Sequence, residues 1–230
     1  MDSIAPRTTA TWLPAIVLIA AGVAAAGVMA FHPTAQGMDA EARLHSLAAI
    51  SPLSMHVHMA MIACVVGVWL AVAYIARSSP PSGWIWLADR LYALGAIAML
   101  GAALVNGFVT GAYLERALPQ VTEARDALPS VLLAFSANQA LAGFGTLFMS
   151  AAIAAWSLAL LRMPGRLARA CGAYGLCAGA ACVVVYAAGR LSLDVAGMTA
   201  VVVAHGAWYC LLGIWSLRSG NAEPDAEGPG

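Results

Sequence analysis

Lysine is absent from the 230-residue sequence, and charge of either sign is scarce, with eleven arginines balancing eleven acidic residues. Without a Lys amine there is no Schiff-base nucleophile and no P-loop lysine, which excludes a retinal-type pigment and a Walker-type nucleotide site. A formal net charge of +0 leaves no basic excess to neutralise phosphates, so nucleic acid is excluded as a partner. Five cysteines occur without a C-x-x-C pair, which argues against a disulfide framework or a thiol–disulfide relay. The H-E-x-x-H, G-x-S-x-G and dinucleotide fingerprints are missing as well. Five histidines, with no acid inside any expected span, are too few for a diiron oxygenase.

Apolar sequence takes the place of these features. Hydrophobic residues make up 62% of the chain, whereas an ordinary soluble domain holds roughly 45–50%. A helix crossing roughly 30 Å of hydrocarbon needs about 20 apolar residues. Six stretches reach that length: Trp12–Phe31, Met55–Ala76, Leu91–Leu114, Val131–Leu161, Leu167–Ala188 and Val195–Leu217. None alternates with period two, so helices and not barrel strands must satisfy the backbone. The expected fold is all-α, a polytopic membrane protein built as a bundle of six transmembrane helices over 12–218. A short cytoplasmic N-terminus (1–11) precedes it, and a Gly-, Pro- and acid-rich cytoplasmic tail (219–230), expected to be disordered, follows. Pro33, the Pro80-Pro81 turn, Pro119, Pro129, Pro164-Gly165 and Gly189 fall at the proposed helix ends, where such residues punctuate helices.

Arginine placement sets the direction, because short cytoplasmic loops retain positive charge. With both termini inside, Arg7, Arg77, Arg90, Arg162, Arg166, Arg169 and Arg218 are cytoplasmic, against Arg43, Arg116, Arg125 and Arg190 outside. The expected location is a multi-pass plasma membrane of the bacterial inner-membrane type, with the lipid bilayer as the main partner. A membrane-protein partner or a second copy of the chain is the other. Val28-Met29-Ala30 leaves a cleaved signal peptide open for the first helix, and cleavage would leave the direction of the rest unchanged.

The string Met55-His56-Val57-His58-Met59 lies at the outer end of the second span. His56 and His58 differ by about 200° on a helix, so they address opposite faces, whereas Met55, His58 and Met59 share one. Imidazole with thioether suits copper, and imidazole alone suits zinc or haem iron. His32 and His45 lie on the same side of the membrane, where solvated roles suffice. His205 is about 15 Å down the sixth span, where an ionisable group needs a partner or a cavity. Asn106 and Asn138 fall roughly 8–10 Å below the outer surface. With Gln139 they form either interhelical hydrogen bonds or the wall of an outward-opening polar pocket, with Glu115 and Arg116 at its rim.

Three functions remain. In the first, His58 and His205, helped by His56, Met55 or Met59, hold haem b or copper near the outer face. The weakness is that His205 lies roughly 9 Å deeper than His58. In the second, His205 titrates in a small proton-coupled transporter. In the third, the chain is a non-catalytic subunit or assembly factor. Four further expectations concern packing. Gly107, Gly111, Gly175 and Gly179 face other helices, the cysteines are inert, the tryptophans anchor helix ends, and an amphipathic helix near 38–47 lies along the membrane surface.

Overall fold

The computed structural model describes residues 12–220. The N-terminal segment 1–11 and the tail from 221 onward lie outside the described residues. The described chain is helical, with α1 at Trp12–Met29, α2 at Ala40–Ala49, α3 at Ser51–Ser78, α4 at Gly83–Leu104, α5 at Thr110–Ala117, α6 at Leu128–Leu161, α7 at Arg166–Ala187 and α8 at Val195–Gly220. A π-helical turn at Val105–Val109 joins α4 to α5 in one long rod. Among the described residues six rods are long and apolar enough to cross a membrane, and they are the six that hydropathy predicts.

Local chemistry accounts for the boundaries. Asp39 caps α2, its Oδ1 accepting from the Ala42 N–H at 2.7 Å. Pro52 and Pro129 occupy the first turns of α3 and α6, where a missing N–H costs nothing. Gly165 separates α6 from α7 at φ 101°, and Gly189 ends α7 at φ 66°, backbone that glycine adopts without strain. The third rod starts at Gly83, eight residues before the expected Leu91. Its polar Asp89 and Arg90 are tolerated near the rod's end, where the Arg90 guanidinium lies 5.9 Å over the Trp86 ring.

Rods consecutive in the chain pack against one another, and α8 returns to α1, so the bundle closes on itself. Two crossings bring glycine against glycine. A Cβ on Gly22 would lie 3.0 Å from the Gly206 carbonyl oxygen, and one on Gly95 3.0 Å from that of Gly145. These contacts hold α1 close to α8 and α4 close to α6, as small residues do in membrane bundles. Gly107, Gly111, Gly175 and Gly179 likewise meet side chains or backbone of other helices, as expected.

Two expectations need correction. Trp156 and Trp208 are not helix-end anchors but the largest fully buried side chains, packed edge to face at 6.3 Å. Trp208 lies midway along α8 and Trp156 in the last two turns of α6, and both rings are turned into the bundle, where their area contributes to packing. The apolar face of α2 covers protein: Leu44, Leu47 and Ala48 pack against Leu114, Ala124, Ala127 and Val131. The short turn between α5 and α6 supplies Ala124 and Ala127 to that partner surface, and the two helices supply Leu114 and Val131.

The surface distribution is inverted relative to a soluble domain. Leu70, Leu133 and Val184 are each about two-thirds exposed or more, while Thr146, Ser150, Ser157 and His205 are buried.

Candidate functional site

A cavity of about 530 Å³ lies among α1, α3, α4, α6, α8 and the turn before α8, and α7 contributes none of its lining. Its walls are mainly Ala, Gly, Val and Met, with His32, His58, His205, Asn106, Asn138 and Gln139 as polar points. That size, an apolar wall and a few convergent polar groups are the features of a small-molecule or cofactor site. At one end stand exposed Ser192 and Asp194. Asp194 caps α8 by accepting from the Gly197 N–H at 2.9 Å, and together with the Ser192 hydroxyl this holds its carboxyl below the usual value.

His58 is on the second turn of α3 and is buried. Its Nδ1 lies 2.7 Å from the Ser54 carbonyl. A carbonyl only accepts, so Nδ1 carries the proton and Nε2 keeps the lone pair of a neutral ring. That lone pair accepts from the Asn106 amide at 3.0 Å. Asn106 sits in the π-helical turn, a local widening frequent at functional sites. Gly107, its neighbour, packs directly on the His58 ring.

His32 stands one tight turn past α1, its N–H donating to the Met29 carbonyl at 3.2 Å. Its ring meets that of His58 edge-on with centres 5.1 Å apart. Nδ1 contacts the Pro33 carbonyl at 3.1 Å, which again leaves Nε2 as the lone-pair nitrogen. Burial pushes the His32 pKa below its ordinary 6.5, and the Pro33 carbonyl opposes that shift.

His205 is enclosed halfway along α8, with Nε2 and the Ser150 hydroxyl 2.9 Å apart. Its ring lies 6.3 Å from Tyr209, whose hydroxyl is 2.8 Å from that of Tyr92, both rings lining the deep end of the cavity.

The structure therefore gathers His58, His205, Asn106, Asn138 and Gln139 around one space, but leaves His56, Met55 and Met59 outside it. All three are exposed, and His56 turns its Nδ1 back to the Pro52 carbonyl at 2.6 Å. At about 100° per residue, Met55 and Met61 fall about 60° to either side of His58. The cavity lies on the side of Met61. The expected rim also moves: Arg116 borders a separate shallow depression with Tyr113 and Gln120, and Ser192 and Asp194 stand at the cavity's end instead. His45 is exposed on α2, as expected.

His32, Ser150, Met29, Met61 and the Tyr92–Tyr209 pair are the site groups that sequence reasoning passed over. The sequence marks His32 only as a residue between an apolar span and Pro33; its place over the bundle, against the His58 ring, is set by tertiary packing. Among the described residues, no three His, Cys, Asp or Glu side chains form a metal cluster. No protein family matches the chain, and no curated protein or solved structure does either.

Proposed function

We propose that the chain is a multi-pass protein of a bacterial-type inner membrane. Its ends lie on the cytoplasmic side, and it binds a metal ion or haem in the outward half of its bundle as a redox or metal-handling protein. The membrane reading is supported by six apolar rods, by apolar side chains facing outward, and by the seven-to-four division of arginines. The observation that carries the cofactor reading is the opening of His32, His58 and His205 into one cavity of about 530 Å³. In His32 and His58 a backbone carbonyl fixes the tautomer, the outer-shell arrangement that orients metal-ligating imidazoles.

The test is metal analysis and a visible spectrum of the full chain purified from cells supplied with iron, haem precursors and copper. Stoichiometric haem or copper, lost in His58→Ala and retained in His45→Ala, is expected. A colourless, metal-free protein would overturn the cofactor reading. A reporter fused after Arg218 should be active only in the cytoplasm, and activity only outside would overturn the orientation.

A second reading draws on the row formed by Ser150, His205, Tyr209 and Tyr92. These buried groups continue from the cavity toward the opposite side, as the start of a proton path in a small proton-coupled transporter would. Its test is a pH-dependent transport signal abolished by His205→Ala.

A further inference from the structure

We infer that the cavity's metal is copper(I), held by the imidazoles of His32 and His58 with the thioethers of Met29 and Met61; the inference rests on the cofactor reading above. Four observations on the two adjacent helices α1 and α3 converge. All four side chains line the same cavity. Met29 and His32 are three residues apart across a turn closed by the His32 N–H to Met29 carbonyl bond, which stacks side chains i and i+3. His58 and Met61 are three apart on α3 and share a face. Because α1 runs toward the His32 end and α3 away from it, the pair Met29 and Met61 lies about one turn beneath the pair His32 and His58.

The imidazole spacing fits a shared ion. With metal–nitrogen bonds of about 2.0–2.1 Å, two ring centres on one metal at a tetrahedral angle lie about 5 Å apart. The centres of His32 and His58 are 5.1 Å apart. Both rings bind backbone carbonyls through Nδ1 and keep Nε2 for a ligand, that of His58 being held by the Asn106 amide until an ion displaces it.

The donor set selects the ion. Among the described residues no carboxylate, thiol or further imidazole completes the pair, so a site for zinc, calcium or magnesium is not formed. Thioethers are soft ligands that favour copper(I). A neutral donor set around a singly charged ion also leaves the least charge to desolvate in an apolar cavity. Five of the chain's ten methionines line this cavity, and Met99, Met149 and Met198 extend the soft surface beyond the site.

The experiment loads detergent-solubilised full-length protein with copper(I) under a chromophoric competitor and records the copper X-ray absorption edge. One equivalent should bind, with a sulfur shell beside the nitrogen shell. The paired change Met29→Leu and Met61→Leu keeps volume and apolarity. It should remove the sulfur shell and weaken binding at least tenfold at an unchanged thermal midpoint, whereas Met55→Leu with Met59→Leu should change nothing. His32→Ala should abolish binding and His205→Ala should retain it. A nitrogen-only shell, or full affinity without Met29 and Met61, would overturn the assignment. Haem bound in a His205-dependent way would overturn copper while preserving the cofactor reading. Binding of neither metal nor haem would overturn both.

Discussion

Replacing Gly107 by Ala probes the site through a residue that touches no ligand. A Cβ at Gly107 would lie 2.7 Å from His58 Cγ and 3.2 Å from its Nδ1, where ordinary contact begins at 3.4 Å. The closest contact of all is to the His58 Cβ, which the packed α3 backbone holds, so the ring cannot simply turn aside and the whole side chain must retreat with its helix by at least about 0.7 Å. Such a shift applied to the 3.0 Å bond from Asn106 to Nε2 takes it out of hydrogen-bond range. Overpacking of this kind costs about 1–3 kcal/mol, and Ala over Gly returns about 1 kcal/mol of helix propensity. The net loss is up to about 2 kcal/mol, read as a lowered thermal midpoint in detergent. Misplacing the imidazole that the Ser54 carbonyl orients through Nδ1 should also weaken cofactor retention by about 10–100-fold, as loss of outer-shell support does elsewhere. In an Asn106→Ala background the retention effect should persist, because a bound ion has already displaced that amide from Nε2. Unchanged retention and unchanged midpoint in Gly107→Ala would refute the placement of His58 against the π-helical turn.

Three further outcomes follow from the packing. Tyr92→Phe leaves the buried Tyr209 hydroxyl without its 2.8 Å partner and should cost about 1–3 kcal/mol, while the double change to Phe at both positions should cost less than the single one, measured by chemical unfolding in detergent. Gly179→Leu drives a side chain against the Ser150 carbonyl and the Ala154 backbone N, at 3.0 Å for the latter, and should lower stability by about 3 kcal/mol or more; an unchanged thermal midpoint would contradict the α6–α7 contact. The carboxyl of Asp194 is held below its ordinary 3.8, so the stability it lends α8 is complete above 3.8 and is lost as pH falls through the lowered native value. Asp194→Asn should flatten the acid limb of a pH–stability curve.

The six rods were legible because length and hydropathy alone decide whether a helix can cross hydrocarbon, and neither depends on tertiary contacts. His58 and His205 were legible for a related reason: an ionisable group inside such a rod must find a cavity or a partner. Rotation about the helix axis was not legible. Met55 and Met61 flank His58 symmetrically in sequence, and only the position of α1 beside α3 decides that Met61 meets the cavity while Met55 is exposed. His32 was passed over because solvated loop histidines are common, and nothing local shows that the turn after Met29 folds back over the bundle. Trp156 and Trp208 show the same limit, since an end-anchored and a core tryptophan differ only in which helix face is covered.

Cofactor analysis of the purified full chain, compared with His58→Ala, tests the central claim most directly. One equivalent of copper or haem in the unaltered protein, absent in a His58→Ala variant that still purifies as a monodisperse helical protein, is the predicted result. A protein that remains metal-free and colourless when supplied with both would contradict it.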